Sequence, residues 1–255
     1  MNHALLIAHN TFREAVRDRV LAGIVIAGLV LLALTRIASP LAMGEDLRLT
    51  VDLGLSTITW LGMVVVLMVG SSLVAKEIDR RTIFNLLSRP LPRPLYLFGK
   101  WGGLTLALTT VAAVLATALG GLLVAMGHAS HLPALAQAAY LACLELAVVT
   151  AIAVLFSALS TPVLSALYTL GLFLAGQWCE DLRRFASHAP EGLRVMLETI
   201  ANLLPNLPLF DMRTLAAGGH TTTPEHLALA TAYAAVYSGC ILLLGAAAFE
   251  SRDFK

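Results

Sequence analysis

The chain has 255 residues, of which 58% are hydrophobic and 13% are charged, and its formal net charge is +1. Ordinary soluble domains carry about 25% charged residues, so this composition excludes a soluble globular protein and indicates an integral membrane protein. The near-zero net charge gives no reason to expect a nucleic-acid partner. The positions of the charges are more informative than their sum.

Residues 1–19 precede the first long apolar run. They alternate at helical spacing, with Leu5 and Phe12 on one side and His9 and Arg13 on the other, which is typical of a helix lying in the membrane interface. The alternative is a signal peptide whose apolar core begins at Val20. We favour the interfacial helix.

Six segments are apolar and about long enough to cross a bilayer, which requires roughly 20 mostly apolar residues. The predicted spans are residues 20–35, 53–75, 101–127, 132–159, 162–179 and 227–249. The predicted fold class is therefore an all-α polytopic membrane protein with six transmembrane helices.

The loop between the second and third predicted spans, residues 76–100, carries six Lys/Arg and two acids. Glu77 and Arg81 belong to a charged amphipathic turn, Phe84 belongs to an apolar face, and Pro90 disfavours helix at the residue before it. A short helix of this kind suits a groove on a soluble partner. The alternative is a basic loop that only touches anionic lipid.

The distribution of Lys and Arg predicts the orientation, because these residues accumulate in cytoplasmic loops. With the N-terminus inside, eleven of the 17 Lys/Arg are cytoplasmic: Arg13, Arg17, Arg19, the six of residues 76–100, Arg252 and Lys255. Both termini and the 76–100 loop are therefore predicted to be cytoplasmic.

The segment 180–226 is predicted to fold back over the outer mouth of the helix bundle as a re-entrant or cap segment. It contains an amphipathic stretch at 191–204 and the sequence LPNLPLFDMR at 204–213. The segment is too apolar to remain in water, since many of its Leu side chains require burial.

With this layout, the chain resembles the permease subunits of type 2 ABC transporters of the exporter class, most closely the permeases labelled as multi-copper enzyme maturation components. The matching residues are NTFREAVRDRV at 10–20, GEDLRLTVDLGL at 44–55, KEIDRRTIFNLLSRPLPR at 76–93 with Gly99 and Lys100, LPNLPLF at 204–210 and FESRDF at 249–254. In the wider class a glycine commonly precedes the threonine of the 76–93 block. Here that position is Arg81, as in the maturation-type branch.

The resemblance implies an N-terminal elbow helix (1–19), a cytoplasmic coupling loop (76–100) and an external cap (180–226). The coupling residues it implies are Glu77, Asp79, Arg80, Arg81, Thr82, Phe84, Asn85, Leu86, Ser88, Arg89 and Pro90. The cap residues it implies are Pro205, Asn206, Pro208 and Phe210.

Glu145 is the one ionisable residue near the middle of a predicted span. A carboxyl there costs about 2.5 kcal/mol or more on insertion scales, so a function is the first hypothesis. Glu145 either lines a translocation path or joins helices, or it is a hydrogen-bonded carboxyl that serves packing only.

Enzyme and metal motifs are missing from the sequence. The Walker-type pattern G-x-x-x-x-G-K-[ST] is absent, so we expect ATP and Mg²⁺ to bind a separate ATPase and no cofactor to bind this chain. No H-E-x-x-H motif is present, and His128 with His131 is a weak metal pair. Three isolated cysteines are best interpreted as buried small hydrophobes. No catalytic or metal residue is predicted.

These observations predict a non-catalytic permease in a prokaryotic plasma membrane that exports an unidentified substrate. The expected partners are an ABC ATPase, a second copy or a paired permease, and the lipid bilayer. The alternative is a membrane anchor that recruits an ATPase for signalling or complex assembly without transport.

Overall fold

The structure, a computed structural model, describes residues 3–38, 45–74 and 93–250. Within these ranges every regular element is a helix, which confirms the predicted all-α class. A bilayer favours this result because a helix satisfies its backbone hydrogen bonds internally where no water is available. The helices are α1 His3–Arg17, α2 Arg19–Ala38, α3 Asp46–Met68, α4 Arg93–Ala125, α5 Leu132–Leu159, α6 Pro162–Gln177, α7 Cys179–Ala186, α8 Glu191–Leu203, α9 Arg213–Ala217 and α10 Pro224–Glu250.

Five of the described helices, α2, α3, α4, α5 and α10, are long and apolar enough to cross a membrane. Helix α6 has 16 residues, or about 24 Å at 1.5 Å per residue, which is short for a hydrocarbon core of roughly 30 Å. It meets α7 at a bend of 49°. If this bent pair is one broken span, the polytopic bundle has six spans.

Two helices begin seven or eight residues earlier than the sequence indicated. Helix α3 begins at Asp46 instead of residue 53 because Thr50 and Val51 are fully buried. Helix α4 begins at Arg93 instead of residue 101, with Pro94 in its first turn, where the missing N–H costs no hydrogen bond. The predicted 76–100 loop therefore includes residues 93–100 wrongly, since these belong to α4.

The bundle has two ends, which we name by their contents. The near end holds α1, residues 70–74, the start of α4, the connection between α5 and α6 at residues 160–161, and the last turns of α10. The far end holds residues 126–131 and 178–223. Contacts join the parts of each end: Val74 hydrogen-bonds Ser157 at the near end, and the Thr222 N–H donates to Gln137 Oε1 at 2.8 Å at the far end.

Helix α5 is the central helix of the bundle. In its most apolar window 78% of the residues are buried, against 22% for α10. It packs against α3, α4, α6 and α10. Every other described span is therefore exposed along at least one side, whereas α5 is almost enclosed by the other helices.

Two glycines on α4 allow α1 to pack closely against it. A Cβ at Gly99 would lie 2.8 Å from Ile7 Cβ, and a Cβ at Gly103 would strike the Ala8 carbonyl oxygen and Thr11 Cβ. The Gly-x-x-x-Gly spacing thus serves helix packing, and it fixes the N-terminal helix to the near end of the bundle.

Gly103→Ala is expected to lower the stability of the protein, because its methyl group would strike the α1 backbone. The clash is expected to cost about 1–3 kcal/mol, which outweighs the roughly 1 kcal/mol by which alanine favours a helix over glycine. Gly121→Ala, also on α4 with nothing within 4 Å of its Cβ, is the matched control and should be neutral or stabilising. Thermal unfolding in detergent checks this pair, and an equal or higher midpoint for Gly103→Ala would contradict the α1–α4 contact.

Candidate functional site

The predicted coupling residues lie outside the described part of the chain. They are Glu77, Asp79, Arg80, Arg81, Thr82, Phe84, Asn85, Leu86, Ser88, Arg89 and Pro90. The two flanks of this segment, residues 70–74 and 93–101, are described and show where it is attached.

Both flanks of the segment are anchored to α5. On one side Val74 is fully buried and its N–H donates to Ser157 Oγ at 3.0 Å. On the other side Leu97 packs in the same apolar cluster as Val154 of α5, and Trp101 Nε1–H donates to the Ala147 carbonyl oxygen at 2.9 Å. A displacement of residues 75–92 would therefore act on α5 through the contacts of Val74 on one side and of Leu97 and Trp101 on the other.

The predicted cap residues lie against the far end of the bundle. Phe210 is 2% exposed, and its ring centre lies 6.1 Å from that of Tyr233 on α10. The Asn206 N–H donates to the Tyr233 hydroxyl at 2.8 Å. Pro205 contacts α6 at Gly176, where an added Cβ would lie 2.9 Å from the proline ring. Pro208 instead lines an open pocket of about 610 Å³.

Glu145 lies where the cap segment reaches α5. Its side chain is 4% exposed, and Gln177 Nε2, at the last residue of α6, donates to Oε1 at 2.6 Å. The carboxyl lines a small cavity together with Phe210 and Arg213, which has room for about one water molecule. The structure thus brings the mid-span acid and the cap segment into one site.

Arg213 connects this cavity to α3. Its Nη1 donates to Ser56 Oγ at 3.0 Å, and its Nε lies 3.2 Å from Asp211 Oδ1. The side chain is 24% exposed, so it stands between the buried cavity and the far-end surface. Five polar residues, Ser56, Glu145, Gln177, Asp211 and Arg213, form this polar site.

Sequence reasoning found Glu145 but missed its surroundings. The predicted fifth span includes Gln177, and the sequence LPNLPLFDMR at 204–213 includes Asp211 and Arg213, but no local pattern connects these residues with Glu145. A signal existed: an acid inside a span pairs with another polar group or lines a cavity, and these three residues are polar groups close to the far ends of apolar segments. Which of them reaches Glu145 depends on the bend after α6, which local sequence does not specify.

The described residues contain no group of three or more His, Cys, Asp or Glu side chains placed to hold a metal ion. The rings of His128 and His131 lie 5.8 Å apart, nearly perpendicular, and His131 packs against Gly219. Cys143, Cys179 and Cys240 are free thiols. The polar site is therefore the strongest candidate for a functional centre in the described chain.

Comparison with protein families gives one match over nearly the whole chain. The model of the ABC-2 family transporter protein matches residues 5–253. A search among curated proteins gives no match.

Tyr233→Phe is expected to loosen the cap segment, since the Asn206 N–H loses its acceptor, at a cost of about 1 kcal/mol. Tyr237→Phe is the matched control: its ring stacks on that of Tyr233 at 5.6 Å, but no hydrogen bond of its hydroxyl occurs among the described residues. Limited proteolysis of residues 204–223 and thermal unfolding check the pair. Equal cleavage rates in the two variants would contradict the role given to this hydrogen bond.

Proposed function

The chain belongs to the ABC-2 transporter family, and we propose that it is the permease subunit of an exporter whose motor is a separate ABC ATPase. Membership of the family makes it a membrane-spanning component of an ABC transporter. The ATPase, the export direction and the coupling residues are parts of the proposal.

The observation that carries the proposal is the attachment of residues 75–92 to α5 at both flanks. Ser157 holds the residue before the segment, and Leu97 and Trp101 hold the helix after it. Force applied to the segment by a partner would therefore pass into the most buried helix of the bundle.

The chemistry of the segment suits an ATPase groove. The charged turn predicted from the sequence contains Glu77 and Arg81, and the predicted apolar face contains Phe84 and Leu86. Closure of two ATPase subunits around ATP would displace the segment, and α3, α4 and α5 would follow as rigid bodies, which is alternating access. Helix α5 carries the displacement to Glu145 and the cap segment at the far end.

The proposed assembly has two permeases, either two copies of this chain or one copy with a paired permease, because six spans form half of a pathway in this class. ATP and Mg²⁺ bind the ATPase, and this chain performs no catalysis. The near end is proposed to face the cytoplasm of a prokaryotic cell, with both termini on that side, since eleven of the 17 Lys/Arg then lie inside.

Within the family, Arg81 before Thr82 favours the multi-copper enzyme maturation branch. This assignment concerns the branch of permeases and not a copper cargo, since the cysteines are isolated and the described residues offer no cluster of metal ligands.

Replacing Glu77 and Arg81 together by Ala is expected to detach the ATPase, because the proposed groove contact loses an acid and a base of the charged turn. Co-purification with the ATPase is expected to fall by at least roughly tenfold, equal to about 1.4 kcal/mol, while the permease still inserts. The matched control is Glu180→Ala with Arg184→Ala, an exposed acid–base pair of the same spacing at the far end, 3.1 Å apart.

Stimulated ATP turnover in proteoliposomes is the second readout. Full turnover in the Glu77/Arg81 variant would overturn the coupling assignment. ATPase binding without ATP-dependent movement of any ligand across the liposome membrane would favour a recruiting anchor over a transporter.

A further inference from the structure

The polar site adjoins an open cleft at the far end. This cleft has a volume of about 400 Å³ and is lined by the start of α3 and by α9, including Glu45, Arg48, Asp52 and Thr214. Arg213 lines both this cleft and the small cavity of Glu145. One side chain therefore stands between the far-end surface and the buried carboxyl.

The charges along this route do not cancel. Arg48 pairs with Glu45 at 3.6 Å, and Arg213 pairs with Asp211 at 3.2 Å. Asp52 remains, and within the described residues it has no ion-pair partner within 4.0 Å, while Glu145 is a buried carboxyl at the inner end of this route. The route from the cleft to the cavity thus has an excess of negative charge, which attracts cations and repels anions.

Arg213 is held in a way that permits release. Its two tethers are a hydroxyl of α3 and the carboxylate of its own segment, Ser56 and Asp211. The contact with Ser56 is a hydrogen bond to a neutral hydroxyl, and the ion pair with Asp211 lies within one segment. Neither contact is a buried ion pair between Arg213 and a neighbouring span. A small shift of residues 211–217 away from α3 would break the Ser56 hydrogen bond and remove the guanidinium from the cavity.

We propose that Arg213 is a gate between the far-end cleft and the Glu145 cavity, and that a cationic group of the transported molecule binds Glu145 when this gate opens. The inference rests on the proposed transport function and gives the substrate its chemical class, a molecule with a positively charged group. In the closed state Arg213, held by Ser56 and Asp211, lines the Glu145 cavity on the side that adjoins the cleft. Gln177 stays hydrogen-bonded to Oε1 and leaves Oε2 to face the ligand.

The test measures access to the cavity with charged thiol reagents and needs neither the ATPase nor the natural substrate. Thr59 is 4% exposed and lines the cavity, so the reaction rate of the thiol in Thr59→Cys measures the access of a reagent to the cavity. Thr214 lines the open cleft, so the reaction rate of Thr214→Cys measures access to the cleft and is the matched control. The reagents are a trimethylammonium and a sulfonate methanethiosulfonate, and peptide mass spectrometry reads each labelled position, so the native cysteines stay in place.

With Arg213 present, the thiol at position 59 is expected to react at least roughly tenfold more slowly than the thiol at 214. Arg213→Gln is expected to raise the rate of the cationic reagent at position 59 about tenfold, because the gate loses its charge pairing. In that background Glu145→Gln should lower the cationic-to-anionic rate ratio at 59 by roughly tenfold, the effect of one nearby charge. The ratio at 214 should stay within about twofold.

Ser56→Ala keeps every charge and removes the hydrogen bond that Arg213 donates to Ser56. It therefore tests the gate role of Arg213 even if Arg213→Gln inserts poorly. It should raise the rate at position 59 about threefold, as expected for the loss of about 0.7 kcal/mol of tethering. Unchanged rates at 59 in both variants would overturn the gate. If Glu145→Gln leaves the cationic-to-anionic rate ratio at position 59 unchanged, the cationic ligand is overturned, and the proposed ATPase coupling is not affected. Conversely, a failure of the ATPase coupling experiment would not change the labelling rates measured here.

Discussion

Helix α5 is almost completely enclosed by the other helices of the bundle, with 78% of its most apolar window buried. Inside a bilayer a polar group needs a protein partner, because lipid offers none. Since α5 is almost surrounded by other helices, it can carry such groups at both ends of the bundle: Ser157 accepts from Val74 at the near end, and Glu145 accepts from Gln177 towards the far end. A more exposed helix such as α10 would leave comparable groups on its exposed side without a partner in this chain.

The far end follows from the shortness of α6. With 16 residues before the bend at Trp178, α6 leaves space beside α5 that residues 205–213 fill with Leu207 and Phe210, which are 0% and 2% exposed. Gly176 permits this approach because Pro205 lies where a side chain would stand. The same turn of chain brings Arg213 to the cavity, so the cap and the polar site are consequences of one short helix.

The sequence was sufficient for whatever depends on local patterns. Helix α5 has the predicted bounds, 132–159, because Pro133 and Pro162 mark the two helix starts. Patterns failed where tertiary contacts decide: the early start of α3 depends on burial of Thr50 and Val51, and that of α4 on the cluster around Leu97. Glu145 stood out because an acid is rare in an apolar run, whereas Arg213 and Gln177 gained their meaning only when folding placed them beside it.

In the proposed mechanism, α5 carries a displacement from the near end to the far end. The most direct measurement is the distance between spin labels at Asp52 and Thr214, on the two walls of the far-end cleft, in the assembled complex with and without trapped ATP. We expect a wider cleft with ATP, and a smaller change in Ser157→Ala, which loses the hydrogen bond from the Val74 N–H. An unchanged distance in a complex that hydrolyses ATP at its normal rate would contradict this mechanism.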